Sequence, residues 1–562
     1  MDRRYLIPHG MESVMIPIKL NRYQQYCDPK SVFLARIQWN GNKMVCIDPQ
    51  YIGNNNNLET QEKAIYIYAG FADRLDDVCT FMDESKIFKN IPFKSHDYRD
   101  FRDHKTFTID SVGEYCSDTA FSIKVDQDGT HVAIHAADVC RFLNDREDLI
   151  PNMINSGSSL CLQKSWLPLV PKYLALGECN FISGALRSTI SFYCTFRNGK
   201  MCNPWVGKGL IEVNHKLTYG QAEYLINNDD VSAIGSKIGS EMIEVDQSVR
   251  YNLRMLHDLA VALKKNRIDK YDSIELDLRR TRFERLIKTQ VRTGITRKSA
   301  INLDEFYTPK SRTIVDELTI FVNNETAKIL LGMGKTSVLF VGRMSRSTQY
   351  TRKRFKKLLK FMYSKFSEEN SSYVDHIASH MLNPERYCRP MPLVKLNHHQ
   401  YGFRVYTRFT SPTKCAPACI THFHLMNVNY DDEIPHFIKY TPEFCEFMCN
   451  YRQRRNEEME KLGQEIFLNY FLNFKQPKIV DAFVNGSKLY VPEFKIVISS
   501  VDDFTGIADF SQVKVELVPM TVDGFKRIKG RIIESFSPVI DKDIIRNFIL
   551  NESWKDDPFI PI

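Results

Sequence analysis

Two Asn-Gly pairs, at Asn40-Gly41 and Asn485-Gly486, constrain the fold of both ends of this chain. Each pair lies between two runs of alternating apolar and polar residues, VFLARIQWNGNKMVCID and IVDAFVNGSKLYVPEF. Such a pair is the strongest short-range signal for a β-hairpin, because Asn and Gly accept the positive φ angles of a tight turn. Both ends are therefore predicted to be β-rich, and their size suits small barrels or sandwiches.

Near residue 105 the sequence pattern changes from short strands alone to strands followed by long helices. Two strand-like runs, TAFSIKV and HVAIHAADV, are followed by long segments with helical periodicity at 241–268, 312–332 and 441–474. Strands that precede and alternate with long helices predict a large α/β centre. The chain is expected to divide at residues 1–100, 101–474 and 475–562.

Length and composition narrow the class of protein. The 562 residues are 43% hydrophobic and 12% aromatic, which is typical of a globular protein of several domains. No apolar run reaches the ~18 residues of a membrane span, and the N-terminus lacks the apolar core of a signal peptide. The 14 cysteines form no regular framework and are expected to be reduced thiols. We therefore expect an intracellular protein, cytoplasmic or nuclear, that is neither secreted nor membrane-bound.

The formal net charge of +8 is modest for this length, so the position of the charge matters more than its sum. The densest basic run, TRKRFKKLLKFMYSKF, has the apolar spacing of an amphipathic helix with one basic face. It includes Arg352, Arg354 and Lys356. Such a face is either simply solvated or follows the phosphates of a nucleic acid, and the sequence leaves both alternatives open.

Several motifs in the centre, taken in order, resemble the catalytic RNB domain of the ribonuclease II family. They are TIDSVGEYCSDTAFSI, HVAIHAADVCRFL, SGSSLCLQKSWLPLVPKYLALGECNFISGALRSTISF and YGFRVYTRFTSPTKCAPACITH. The resemblance implies an α/β multidomain protein, in which a central RNB-type α/β domain is flanked by N-terminal and C-terminal OB-type β-barrels. The family carries a pair of cold-shock-type OB folds before the RNB domain, so residues 1–100 are expected to hold one such fold or a trimmed pair.

The resemblance also implies a chemistry. Members of the family degrade RNA from 3′ to 5′, and four closely spaced Asp residues hold Mg²⁺, which prefers hard oxygen ligands. The first and third of these acids match Asp110 and Asp118. The second and fourth match Cys116 and Thr119, so two of the four carboxylates are missing. We expect a weak or absent metal site and no cofactor, with Mg²⁺ needed only for residual activity.

Other parts of the family's catalytic machinery differ as well. The tyrosine that clamps the terminal base matches Cys161, which cannot stack, and an acidic residue after the Ser-Pro turn matches Ala418. The arginine of that turn matches Lys414, and the two are not equivalent where a phosphate must be held bidentately. Glu114 is a candidate substitute ligand, although its place in a tight turn is expected to direct it away.

RNA binding can survive the loss of catalysis, because affinity comes mainly from phosphate contacts and base stacking. The candidate RNA-binding residues are Arg187, which matches an RNA contact of the family, Lys414, Arg404, Arg408, Arg352, Arg354 and Lys356. For Asp110 and Asp118 the structural alternative is a turn or capping role in a retained loop.

One cysteine and histidine cluster has the ligand types of a zinc site, and it comprises Cys415, Cys419, His422 and His424. Its spacing fits no common zinc finger, so zinc is disfavoured. A second pair, Cys445 and Cys449, lies four residues apart on a predicted helix and is expected to pack in a core.

These observations predict a pseudonuclease of the ribonuclease II family that binds single-stranded RNA or assembles protein partners in an RNA-processing or RNA-silencing complex. The first alternative is an active 3′-to-5′ exoribonuclease whose metal site is rebuilt from Asp110, Asp118 and Glu114. The second alternative is a protein-interaction adaptor that does not bind RNA. The sequence predicts neither the identity of the RNA nor the oligomeric state.

Overall fold

The computed structural model describes the chain at residues 5–8, 15–18, 28, 30–41, 43–80, 98–111, 114, 116–144, 149–228, 247–276, 309–334, 338–342, 349–367, 370–382, 384–390, 396–426, 441–472, 477–504 and 506–543. In these ranges short N-terminal strands are followed by a central mixed sheet with helices and then by a closed barrel. This order confirms the prediction of β-rich ends around an α/β centre. Within the same ranges, no helix is long and apolar enough to cross a membrane.

The N-terminal region is made of short strands, one long hairpin and a helix. Its elements are β1 (Tyr5–Leu6), β2 (Ile16–Pro17), β3 (Ser31–Asn40), β4 (Lys43–Asn54), α1 (Leu58–Tyr68), a 3₁₀ helix (Ala72–Asp77) and β5 (Cys79–Thr80). Strands β3 and β4 pair antiparallel around Gly41, whose φ of 62° suits glycine. The first hairpin is thus confirmed, and these strands are consistent with an OB-type domain.

The centre is organised around a seven-stranded mixed sheet. Strands of this part of the chain are β6 (Arg99–Asp100), β7 (Lys105–Asp110), β8 (Thr119–Asp126), β9 (Gly129–Ala137), β10 (Leu160–Cys161), β11 (Ser165–Leu167), β12 (Leu186–Arg197), β13 (Lys200–Glu212) and β14 (His215–Thr218). The large sheet has the order β14-β7-β8-β9-β12-β13-β6, and a separate three-stranded sheet has the order β10-β11-β5. The sequence runs TAFSIKV and HVAIHAADV form β8 and β9, as predicted.

Both faces of the central sheet are covered. Phe121 and Ile134 belong to one hydrophobic cluster, which includes the long helices of the centre. Their neighbours Ala120 and Ala133 belong to a second cluster on the opposite face, which includes Cys116. Successive side chains of a strand point to opposite faces, so one run of apolar residues supplies both cores.

The helices of the centre follow the predicted pattern. They are α2 (Val139–Asn144), α3 (Leu149–Ser156), α4 (Lys172–Leu176), α5 (Tyr219–Asn227), α6 (Gln247–Tyr271), α7 (Pro309–Gly332), α8 (Gln349–Tyr363), α9 (Ser371–Met381), α10 (Ala416–Met426) and α11 (Pro442–Leu472), with the short strands β15 (Phe340–Gly342) and β16 (Arg386–Cys388) between them. The predicted helices at 241–268, 312–332 and 441–474 correspond to α6, α7 and α11, although residues 241–246 and 473–474 lie outside the described residues. The basic run forms α8.

The C-terminal region is a closed five-stranded barrel, which is the strand number of an OB fold. Its strands are β17 (Lys478–Asn485), β18 (Lys488–Val491), β19 (Ile496–Ser500), β20 (Ser511–Val522) and β21 (Phe525–Pro538). Gly486, with a φ of 58°, forms the turn between β17 and β18. The predicted C-terminal barrel and hairpin are therefore confirmed, while the domain boundaries at 100 and 474 stay predictions.

Candidate functional site

Two loops bring the remnant acids together with the Ser-Pro turn. Strand β7 ends at Asp110, and Asp118 directly precedes its antiparallel neighbour β8. The turn at residues 411–414 precedes α10 and is held by segment 157–159, because the backbone N–H of Ser159 donates to the Lys414 carbonyl at 2.9 Å. The chain thereby juxtaposes two motifs that lie about 300 residues apart in sequence.

Both carboxylate oxygens of Asp118 accept hydrogen bonds from the protein. Only 2% of this residue is exposed. Its Oδ2 accepts from the backbone N–H of Thr413 at 3.0 Å and also from the Thr413 hydroxyl. Its Oδ1 accepts from the Thr119 hydroxyl at 3.3 Å. Each carboxylate oxygen is therefore already used inside the protein, and fewer lone pairs remain for a cation.

Thr413 is a residue of this site that the motif comparison did not single out. It is fully buried between Pro412 and Lys414. A hydroxyl side chain in a turn is a known signal for local hydrogen bonding, but its actual partner is distant in sequence. The interaction with Asp118 therefore became visible only in the folded chain.

Lys414 brings a positive charge to the remnant acids. Its Nζ lies 3.0 Å from Oε1 of Glu114, and the two side chains are only 24% and 12% exposed. Burial by itself lowers the pKa of Lys414, but the carboxylates of Glu114, Asp118 and Asp110 hold that pKa well above its usual value. An ammonium group thus balances part of the charge that a metal ion balances in the family.

Asp110 lies half-buried at the end of β7, within the electrostatic influence of this ammonium. Burial raises the pKa of Asp110 above its usual value, against the opposing effect of Lys414. Its Oδ2 is buried and accepts no hydrogen bond from any of the described residues. Asp110 is therefore the least satisfied acid of the site.

Both replacements of the expected acids are packed inside the protein. Cys116 is fully buried, and its Sγ lies 3.7 Å from the Cys179 carbonyl and 3.6 Å from the Thr413 hydroxyl. Burial raises the pKa of Cys116 well above the usual value of a thiol, so the group stays protonated. The Thr119 hydroxyl accepts from the backbone N–H of Ser411 at 3.1 Å. Neither group supplies a negative oxygen.

This donor set does not fit a Mg²⁺ site of the family type. Mg²⁺ requires hard oxygen ligands in near-octahedral geometry. Here two expected carboxylates are replaced by a neutral thiol and a bonded hydroxyl, and the remaining Asp118 is already bonded to Thr413. Across the described ranges, no group of three or more His, Cys, Asp or Glu side chains is arranged to hold a metal ion.

The cysteine and histidine cluster of α10 is spread over separate partners. The Cys415 thiol lies 3.5 Å from the Tyr387 hydroxyl, and Cys419 contacts the Pro412 carbonyl. His422 Nε2 donates to the Phe409 carbonyl at 2.8 Å. These partners direct the side chains to different neighbours.

Arg187 stabilises the loop that contains Ser117 and Asp118. It is 2% exposed, and burial lowers the pKa of its guanidinium. Nε donates to the Asn180 carbonyl at 2.9 Å, and the Asn180 side chain in turn accepts from the backbone N–H of Ser117 at 3.0 Å. The chain of contacts ends next to Asp118. An RNA contact by Arg187 stays a prediction.

The other predicted RNA-binding cations are dispersed. Arg404 is exposed, whereas Arg408 donates to Oε2 of Glu385 at 2.8 Å. On α8, Lys356 pairs with Asp272 at 2.7 Å. Arg352 and Arg354 lie on the same helix, and the side chain of the latter is outside the described residues. The roles of these cations in RNA binding stay predictions.

Two further positions were matched to the family's machinery: Cys161 to the tyrosine that clamps the base, and Ala418 to the acidic residue after the Ser-Pro turn. Cys161 lies in β10, half-buried, and its backbone N–H donates to Oε1 of Glu460 at 3.4 Å. Ala418 is fully buried in α10. A thiol offers no planar ring, so the absence of base stacking at Cys161 stays a prediction.

Comparison with known proteins places the chain in a family. Residues 98–429 match the RNB domain, which is more than half of the chain. The chain belongs to the RNB-domain family. The predicted family resemblance is thus confirmed. The assignment of Asp118 to one of the family's acids stays a prediction.

The curated proteins that this RNB protein matches include two DIS3-like exonucleases. DIS3-like exonuclease 2 of Schizosaccharomyces pombe is 25% identical over 456 residues, which cover 75% of this chain and 48% of the relative. The protein of the same name from Caenorhabditis elegans is 23% identical over 438 residues, covering 70% and 49%. The chain therefore spans about half the length of these relatives.

Solved structures show the same fold. Apo RNase R of Mycoplasma genitalium superposes with a TM-score of 0.68 at 14% identity, covering 94% of this chain and 89% of that one. Yeast Ssd1, described as a pseudonuclease, gives a TM-score of 0.61 at 16% identity, covering 92% and 66%. The RNB fold thus occurs both in a nuclease and in a pseudonuclease, so activity must be argued from the site.

Proposed function

We propose that this RNB protein is a pseudonuclease that binds single-stranded RNA and works within an RNA-processing or RNA-silencing complex. The observation that carries the proposal is the replacement of two expected carboxylates by the Cys116 thiol and the Thr119 hydroxyl, which bond to other parts of the protein. A neutral thiol and a hydroxyl supply no negative oxygen for a divalent cation. The ion pair of Lys414 with Glu114 also engages the candidate substitute ligand.

The same contacts weigh against a rebuilt metal site. Glu114 was the candidate substitute ligand, and its carboxylate is paired with Lys414. Asp118 is held by Thr413 through two hydrogen bonds. Recruiting both acids for a metal ion would require these interactions to break. Each loss of a buried hydrogen bond costs about 1–3 kcal/mol.

RNA binding is supported by the family and by the cations of this chain. RNase R of M. genitalium has been solved with ribose-methylated single-stranded RNA and with double-stranded RNA, and this chain superposes on those complexes with TM-scores of 0.67 and 0.66. Binding of this kind depends on phosphate contacts and not on a metal ion. Protein partners and the cytoplasmic or nuclear location remain expectations from the sequence.

The test combines a cleavage assay and a binding assay on the full chain. End-labelled single-stranded RNA is incubated with the protein and Mg²⁺ or Mn²⁺, and an RNase R serves as positive control. We expect the RNA to remain intact and filter binding to fall steeply with salt. A ladder of products that disappears with Asp118→Asn would overturn the proposal. Intact RNA without any binding would instead favour the adaptor alternative.

A second candidate function, the active exoribonuclease, has one observation in its favour. Oδ2 of Asp110 is buried and receives no hydrogen bond from the described part of the chain, so this oxygen is free to accept a ligand. One free carboxylate oxygen is a small part of a metal site. The cleavage assay above decides between the two functions.

A further inference from the structure

A groove lies between strand β16 and the N-terminal half of helix α11. Its volume is about 320 Å³. Its lining includes the charged residues Arg386, Arg389, Glu443, Glu446 and Arg454 and the exposed ring of Phe447. None of these residues belongs to the motifs that carry the family's catalytic acids, so the groove is a separate surface of the molecule.

The two walls of the groove are fixed to each other. The Asn450 side chain accepts from the backbone N–H of Tyr387 at 2.9 Å and donates to the Tyr387 carbonyl at 2.8 Å. Arg389 pairs with Glu443 at 2.5 Å and with Glu446 at 3.0 Å. Because these bonds join its two walls, the groove is already formed before a ligand binds. Binding therefore costs little free energy for ordering the side chains of the groove.

The charge that remains in the groove is positive. Arg389 uses its guanidinium on both glutamates of the lining. Arg386 and Arg454 are exposed, and neither forms an ion pair with any residue that the structure describes. Two unpaired guanidinium groups at one concave surface suit an anion, above all a phosphate, which they can bind bidentately.

The aromatic part of the groove is unusually open. Phe447 is 63% exposed, and Tyr451, one turn further along α11, is 48% exposed. Their rings are nearly parallel, with an interplanar angle of 8° and centroids 6.2 Å apart. An exposed aromatic ring beside cations is the combination that binds single-stranded nucleic acid, because any base can stack on the ring.

We propose that this groove binds a nucleotide unit of single-stranded RNA, with its base stacked on Phe447 and its phosphates held by Arg386 and Arg454. The inference rests on the proposed RNA-binding function and specifies a surface for it. An acidic peptide would also satisfy the two arginines, but it would not use the flat face of Phe447. Because the groove offers both an exposed ring and two cations, it suits a nucleotide better than an acidic peptide.

The test measures how the full chain binds a labelled single-stranded RNA of about 16 nucleotides, the largest site size of one OB fold. Phe447→Ala is expected to weaken binding about fivefold or more, the low end for loss of one stacked base. The double variant Arg386→Gln with Arg454→Gln is expected to reduce the slope of log K against log salt by about 1.4, since each single-strand phosphate contact contributes about 0.7.

Matched controls separate the groove from general effects. Tyr470→Ala removes another exposed ring of the same helix, and Arg197→Gln removes an exposed arginine outside the groove, so both should bind like the wild type. Wild-type affinity in the groove variants overturns this inference while the proposed function stands. No RNA binding by the wild type overturns both. An oligoglutamate peptide whose binding is lost in the double arginine variant but kept in Phe447→Ala, while RNA binding is unchanged in both, would overturn the inference and show that the occupant is an acidic peptide.

Discussion

The Thr413 hydroxyl donates a hydrogen bond to Oδ2 of Asp118, the residue that matches the most directly catalytic acid of the family. Both residues are buried, and the Thr413 backbone N–H donates to the same oxygen at 3.0 Å. The Asp118 carboxylate therefore holds the turn that contains Thr413.

Replacing Thr413 by valine should therefore destabilise the protein. Thr413→Val keeps the side-chain shape but leaves one bond of the buried Asp118 carboxylate unmade, which costs about 1–3 kcal/mol of unfolding free energy. The measurement is urea unfolding of the full chain. Thr521→Val, at an exposed position of the barrel, should change stability by less than about 0.5 kcal/mol. Equal stability of the two variants would contradict the role of Thr413.

Removing the ammonium of Lys414 should create affinity for a divalent ion. In Lys414→Met the carboxylates of Asp110, Glu114 and Asp118 lose their cation, and we expect Mn²⁺ to bind and to raise the Tm of this variant. The wild type and Lys414→Arg, which keeps a cation, should show no such shift. A rise in Tm of the wild type with Mn²⁺ would contradict the proposed charge balance.

Stability should fall in acid because of a buried histidine in the central sheet. His135 is fully buried, and its ring nitrogens contact the hydroxyls of Ser122 at 2.9 Å and Ser191 at 2.7 Å. Burial, with a smaller effect of His104, lowers the pKa of His135 from 6.5 to about 3. A group whose pKa is lower in the folded state must be protonated on unfolding, so stability is lost as the pH falls from about 6.5 towards 3.

The size of this effect can be measured with a variant that does not titrate. Between pH 7 and about pH 4, the protonation of His135 on unfolding should lower the free energy of unfolding by roughly 3 kcal/mol, at about 1.4 kcal/mol per pH unit. His135→Gln can still bond both serines but has no charge to gain. Between pH 7 and about pH 4, the unfolding free energy of this variant should therefore fall by about 3 kcal/mol less than that of the wild type. Parallel pH profiles of the two proteins would rule out His135 as the cause.

Arg404 tests the RNA-binding cations predicted from the sequence. It is exposed and precedes the Ser-Pro turn. Arg404→Gln should reduce the slope of log K against log salt by about 0.7, the contribution of one single-strand phosphate contact. Lys124→Gln, which removes an exposed lysine paired with Asp103, should leave the slope unchanged. Equal slopes for all three proteins would remove Arg404 from the set of phosphate contacts.

Local patterns in the sequence predicted most of the fold. In both hairpins the glycine supplies the positive φ angle, at Gly41 and Gly486, while Asn40 and Asn485 are the last residues of β3 and β17. Cys445 and Cys449 lie on one face of α11 and are buried, as their spacing predicted. Periodicity carries such information because each pattern is set by neighbours on the same element.

The contacts of the candidate site were not predictable in the same way. Lys414 was expected to contact phosphate and Glu114 was weighed as a metal ligand, yet the two pair with each other. The residues lie on loops 300 positions apart, and no periodicity relates one loop to another. Thr413 and Asp118 show the same limit. The resemblance located the acids, but only the folded chain revealed what each of them touches.

The ammonium of Lys414 is tethered to the chain, whereas a bound magnesium ion could leave. The charge that Lys414 brings to these carboxylates is therefore set when the polypeptide is made, independently of the supply of free magnesium. Under the proposed function, a chelator such as EDTA should leave the folded state of this protein unchanged.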